Sequence, residues 1–215
     1  MRTMEISGTV LETDRRGFRL WLEDNHDSAD FCWVVCPRKK PENGEFCYLD
    51  AVEEAICFGW IDSTLKRTGG KTYNRFSPRK KGSHWTELNK ERARRLERLG
   101  LMRESGREAL PDMDAAPRMD PNIRRWFRKN PEMEARFMSY PGLYRRIQLS
   151  NLEFYRDRGG SEYRRRLKSF RKHVEDDRMI PGWDDYGRLT GNYSRDRSVS
   201  HRIHRSELCF LYLSS

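Results

Sequence analysis

Two runs of β-type residues, Ile61–Thr68 and Lys71–Pro78, flank the dipeptide Gly69-Gly70, and no other feature constrains this chain as tightly. Glycine accepts the positive φ angles of a tight two-residue turn, so the arrangement predicts an antiparallel hairpin. A lone hairpin is at best marginally stable in water and has to be covered by something else. The stretches around this one carry apolar residues at helical rather than alternating spacing. The expected fold class is therefore α+β: a small mixed α/β domain built on an antiparallel hairpin, followed by a helical C-terminal module.

The flanking segments supply the helices. Asp14 is placed to cap a helix over residues 14–25, with Phe18, Leu20, Trp21 and Leu22 as its buried side. Phe31–Cys36 is a short apolar run stopped by Pro37, and residues 39–44 are turn chemistry. Tyr48–Trp60 reads as the next helix, ended by Gly59. Ser83 is expected to cap a helix from His84 to Leu99, and Gly100 supplies the left-handed stop. Residues 1–100 thus read as one α+β unit.

Residues 101–119 hold two prolines and several acids without periodicity, which reads as a linker. Asp120-Pro121 and Asn130-Pro131 are each a cap followed by proline at the first helical position. Pro141 opens a third helix reaching to Arg158, and Gly159-Gly160 turns the chain. Ser161 is expected to cap a fourth, with Tyr163, Leu167, Phe170 and Val174 in one stripe. Residues 120–189 form the helical module, and 190–215 read as an atypical basic tail.

Composition narrows the function classes. The 215 residues carry a net charge of +10, unevenly spread: −5 over residues 1–60, +8 over 61–100, −2 over 101–120 and +9 over 121–215. Arginine outnumbers lysine 33 to 10, and guanidinium forks grip phosphate or carboxylate through two bonds. Aromatic residues make up 12%, too rich for a disordered chain. No apolar run approaches the ~20 residues of a membrane span, and the N-terminus has no signal-peptide core. Five cysteines, with no CxxC pair, fit reduced thiols of a cytoplasmic protein. No Ser-His-Asp set, P-loop or dinucleotide fingerprint is present, so no catalytic residue, metal site or cofactor is assigned.

The densest motif is Cys57-Phe-Gly-Trp-Ile-Asp62, followed by Arg75-Phe-Ser-Pro-Arg-Lys-Lys81 and Ser83-His-Trp85. These residues resemble the hallmark of the YdeI/OmpD-associated family. The resemblance runs on through Asn89-Lys-Glu-Arg92, Arg95-Leu96, Tyr140–Arg146 and the Trp183, Gly187-Arg-Leu189 segment, covering about residues 12–190. It implies a YjbR/CyaY-like α+β domain near frataxin-like folds, a helical C-terminal module, and a link to bacteriocin protection or stress tolerance. It transfers no active site.

Read physically, Trp60, Asp62, Arg75, Arg79, Ser83 and Trp85 are candidates for a ligand site. A helix exit, a hairpin and a helix start meet there, and arginines beside tryptophan at a helix start suit an anion. Arg75 and Arg79, an even number apart, are expected on one face of a strand. The competing reading pairs Asp62 with an arginine and packs the tryptophans into the core. Arg164, Lys168, Arg171 and Lys172 form a basic helix face that either contacts phosphate or is solvated, so weak non-specific nucleic-acid binding is one expectation. Cys57 reads as a buried thiol and His84 as a helix-start residue. His201 and His204 form an HxxH pair. Glu12, Asp14, Glu23, Asp24 and Asp27 echo an acidic iron-binding surface. The leading expectation is a cytoplasmic protein binding an anionic ligand or partner. Iron handling of the frataxin type, and an enzyme with a site around Trp60, Asp62, Arg79 and Trp85, are its rivals.

Overall fold

The computed structural model describes residues 6–39 and 44–190, so the HxxH pair, Cys209 and nearly all of the basic tail lie outside the described residues. The element order is β1 (Val10–Leu11), α1 (Arg15–Asn25), β2 (Cys32–Val35), α2 (Tyr48–Cys57), β3 (Trp60–Thr68), β4 (Lys71–Pro78) and α3 (Glu87–Arg98). It continues with α4 (Glu104–Glu108), α5 (Pro121–Lys129), α6 (Pro131–Ser139), α7 (Gly142–Arg158) and α8 (Gly160–Glu175). The fold is α+β, with a C-terminal helical part. None of the described helices is long and apolar enough to cross a membrane.

The strands form one mixed sheet in the order β1-β2-β4-β3. β1 runs parallel to β2, while β4 is antiparallel to both β2 and β3. The Gly69-Gly70 turn, with φ of +55° and +74°, closes the hairpin as its sequence requires. Cys32 pairs with Phe76 and Asp62 also pairs with Phe76, so these residues share the sheet face that meets the core. Helix α1 lays Phe18 against Phe76, with ring centroids 5.5 Å apart. Helix α2 is buried on every side, because it lies among the sheet, α1 and α3.

Three helix starts show which side chains do the capping. Asp14 accepts from the Gly17 N–H at 2.7 Å, as expected. Ser83 does not cap α3. Its hydroxyl accepts from Arg79 instead, and Thr86 takes the role by accepting from the Asn89 N–H at 3.1 Å. The helix therefore begins at Glu87 rather than His84. Ser161 likewise makes no cap, since α8 starts one residue earlier behind Gly159.

The stretch read as a linker includes α4 and joins the first core. Leu101 and Met102 are buried in it, and the Arg103 N–H donates to the Cys57 carbonyl at 3.0 Å. Two glycines make this approach possible. A Cβ on Gly106 would lie 2.2 Å from the Cys57 oxygen, and one on Gly59 would lie 2.6 Å from the Ser105 oxygen. Gly59 also needs its φ of +72° to leave α2 for β3.

The second core gathers Ile123, Phe127, Phe137, Tyr144, Leu152, Phe170 and Val174, so the stripe of α8 faces inward as its spacing predicts. The two cores are separate clusters, and they are joined by α3 packing on α7 and by ion pairs. Arg92 holds Asp185 through two bonds of 2.7 and 2.8 Å. Arg146 lies 3.5 Å from Glu87 and 3.4 Å from Glu91. Asp185, Tyr186 and Gly187 are all left-handed, with φ of 50°, 60° and 88°. Such a run is costly for the two non-glycine residues, and the buried Arg92–Asp185 pair holds it in place.

Candidate functional site

The six candidate residues sort into separate environments. Trp60 is 1% exposed and belongs to the core, where its Nε1 donates to the His26 carbonyl at 3.0 Å. Asp62 accepts from the Tyr48 hydroxyl at 2.6 Å. Burial and that carboxylate together push the Tyr48 phenol up, and Arg38 covers the Tyr48 ring at 3.9 Å.

Arg75 and Arg79 do not meet. Arg75 pairs with Trp33 on the sheet face opposite Phe76, lies over the Phe31 ring at 4.1 Å and donates to Ser63 at 3.3 Å. A β-bulge at Ser63 puts that hydroxyl within its reach. Arg79 lies beyond the end of β4, where strand alternation no longer applies, and its N–H bonds to the Gly59 carbonyl at 2.9 Å. Its guanidinium carbon sits 3.9 Å from the centre of the Trp85 ring. One nitrogen donates to the Ser83 hydroxyl at 3.4 Å and to the His84 carbonyl at 3.1 Å. Arg79, Ser83 and Trp85 are thus one group.

Arg79 is electrostatically under-compensated. Its Nε and Nη2 are shielded from solvent and have no hydrogen-bond partner. Burial lowers its pKa to about 10, and Asp62 opposes the shift only through space. His84 shares this positive neighbourhood, since burial first, then Arg158 and Arg79, push its pKa down. The His84 ring packs on Phe154 at 4.2 Å, Arg158 stacks on the same ring at 3.4 Å, and Arg166 covers Tyr155 at 4.0 Å. The β4–α3 loop and the last turns of α7 therefore present a row of cation–aromatic stacks. The sequence reading reached Arg79 and Trp85 but missed Phe154, Tyr155 and Arg158, because their contribution depends on α3 packing against α7.

The basic face of α8 is less uniform than its spacing suggests. Arg164 and Lys168 are exposed, and Lys172 pairs with Asp176 at 3.1 Å. Arg171 turns back to the Asn122 carbonyl at 3.2 Å and lies over Trp126. Among the acidic candidates, Asp14 caps α1, Glu12 pairs with Lys71 at 2.6 Å, and Glu23 pairs with Arg103 and Arg19. Burial pushes the Cys57 thiol up to about 12, which suits packing rather than nucleophilic attack.

A buried ion network lies behind this surface, and sequence reading missed it. Asp50, Glu53 and Glu54 on α2 are 6%, 0% and 2% exposed. Arg15 reaches all three, Arg19 reaches Glu54, and Arg95 and Arg188 reach Glu53. The available signal was a Glu53-Glu54 pair inside an apolar helix, opposite arginines one turn apart at 15 and 19.

One cleft of about 300 Å³ opens between α7, α8, Leu88 of α3 and residues 180–183. Ile147, Leu152, Phe170 and Trp183 supply its apolar walls, with Gln148 and Asn151 among them.

Residues 10–109 match a family model described as a domain of unknown function (DUF8412). The match opens at β1 and closes on Ala109, the residue that ends α4, so it takes in the packed segment after Gly100. No curated protein and no solved structure matches the chain.

Proposed function

We propose that this is a cytoplasmic binding protein whose cation–aromatic row takes an anionic, phosphate-bearing ligand or partner. The observation that carries the reading is Arg79, stacked on Trp85 with Nε and Nη2 unpartnered. Those two nitrogens form the guanidinium edge that grips an oxyanion through two bonds, and because both are shielded from solvent in the free chain a ligand reaches them by displacing the neighbouring side chains. Arg158 and His84 extend the positive field along the same surface, and Lys80 and Lys81 are exposed beside it. Free, buried Cys32, Cys36, Cys47 and Cys57 support a reducing compartment. Membership of the YdeI/OmpD-associated family, and with it a role in bacteriocin or stress tolerance, belongs to the same proposal and rests on the Cys57–Asp62 and Arg75–Trp85 motifs.

Titration of the full chain with tripolyphosphate and heparin at low and physiological salt tests the reading. Binding that weakens steeply with salt and drops in Arg79→Ala and Arg158→Ala supports it. Indifference to both polyanions at low salt overturns it.

A further inference from the structure

We infer that the cleft between α7 and α8 is a nucleobase pocket, which makes the ligand of this protein a nucleotide, free or within a single strand. The inference rests on the phosphate-binding reading for the charged part of the ligand, and on the cleft alone for the base.

Two carboxamides line the cleft and are open to a ligand. Gln148 is 7% exposed, yet its amide makes no hydrogen bond to any described residue. This carboxamide borders the open space of the cleft, so its donor and acceptor are free to bond a ligand there. Asn151, three residues on along α7, borders the same space, and its amide makes no hydrogen bond to any described residue. Across the cleft, the Ser169 hydroxyl has only a long contact of 3.4 Å to His173. A carboxamide carries a donor and an acceptor side by side. Two carboxamides one helical turn apart complement a ring whose edge alternates donors and acceptors, and that pattern is what a nucleobase presents.

The walls suit a flat ring. Trp183 supplies the accessible aromatic surface, and Phe170, Ile147 and Leu152 form an apolar backing that is itself buried. A volume of about 300 Å³ lies at the small end of the ~300–1,000 Å³ range of ligand pockets, which suits a base with its sugar better than a larger cofactor. Charge is supplied at the rim rather than the floor. Arg166 borders the cleft and also covers Tyr155, where the cation–aromatic row begins. Asn151 stands one turn before Phe154 and Tyr155 on α7, so a base held at Asn151 directs its phosphate toward Arg166 and Arg158. Base–aromatic stacking with a positive track alongside is the usual physical basis of single-strand binding.

The test is calorimetric titration of the full chain with the four ribonucleoside monophosphates, ribose 5-phosphate, tripolyphosphate and a short oligothymidylate. The monophosphates are expected to bind at least about tenfold more tightly than ribose 5-phosphate, which lacks the base. Gln148→Leu and Asn151→Ala should each erase about tenfold of that advantage, while tripolyphosphate binding stays unchanged. A helical spectrum and melting point like those of the parent chain confirm that each variant folds. A strand that binds more tightly than the monophosphates identifies nucleic acid as the source, and the reverse identifies the free nucleotide. Equal affinity for monophosphates and ribose 5-phosphate, measured on the parent chain, overturns the pocket while leaving the phosphate reading standing. Binding of the monophosphates without any binding of tripolyphosphate overturns the phosphate reading instead.

Discussion

Arg188 donates to Glu53 at 3.1 Å across 135 positions of the chain, and its second nitrogen reaches Asp50 at 2.8 Å. One side chain from the C-terminal segment thereby closes an ion network whose other members belong to the α+β part. Glu53 is fully buried, so it relies on cations rather than water for compensation. Arg15 and Arg95 remain when Arg188 is removed. Arg188→Ala should therefore cost about 2 kcal/mol, less than the ~3–5 kcal/mol expected when a buried charge loses its sole partner. Urea denaturation reads the loss. Arg107→Ala, which breaks an exposed pair with Glu97, is the control and should leave the urea midpoint close to that of the parent chain.

The glycine contact behind α2 gives a second expectation. At Gly106 an added Cβ meets backbone, the Cys57 carbonyl, so no side chain can swing aside. Gly106→Ala should destabilise by about 1–3 kcal/mol through overpacking and should loosen α4. Gly82→Ala has open space around its Cβ and only its φ of +75° against it, so it should cost about 1 kcal/mol. Thermal melts compare the two. Protease cleavage within 103–109 should rise only in the Gly106 variant.

These contacts mark what was legible in the sequence and what was not. The hairpin was legible because Gly69-Gly70 is a local signal, and so were the caps of α1 and α5 and the inward stripe of α8, which lie within a few residues. On α1, however, Leu20 is 49% exposed rather than on the buried side, where Phe18 and Leu22 lie. The start of α3 was misplaced because Ser83 and Thr86 are both good caps, and the choice depends on Arg79 claiming the Ser83 hydroxyl. The linker reading failed for 101–109 because α4 has only five residues and no period to detect. Its glycine is explained only by the approach of Cys57. At the candidate site, strand parity placed Arg75 and Arg79 together on the assumption that β4 continues past Pro78. The unpartnered amides of the cleft are a tertiary property, since nothing about Gln148 in a helix distinguishes it from a surface glutamine.

The network also sets the behaviour in acid. Burial alone would raise the Asp50 pKa, but Arg188, Arg15 and the Cys47 N–H hold it below its ordinary value. A carboxylate with a depressed folded pKa contributes stability that is full above its unfolded value and is lost as pH falls through the folded one. The loss should begin below about pH 4, the ordinary aspartate range. Urea midpoints should keep the Asp50 contribution from neutral pH down to that range and lose it as acid is added below it. Asp50→Asn should lower the neutral midpoint and flatten the acid slope.

His84 reports on the anion surface with the opposite sense of charge. Burial, Arg158 and Arg79 together depress its pKa below the ordinary 6.5, so the fold prefers the neutral ring. The contribution of this group to stability is full above that value and declines as pH falls through it toward the folded pKa. An anion seated among Arg79, Arg158 and His84 offsets the positive field and should move the pKa back up. Titration of the imidazole proton resonances with and without tripolyphosphate measures both effects. In the free protein the His84 resonance should titrate below the ordinary range, and Arg158→Ala should raise it. Added tripolyphosphate should raise it in the parent chain and less in the variant. A His84 resonance that ignores tripolyphosphate while other residues respond would place the anion elsewhere on the molecule.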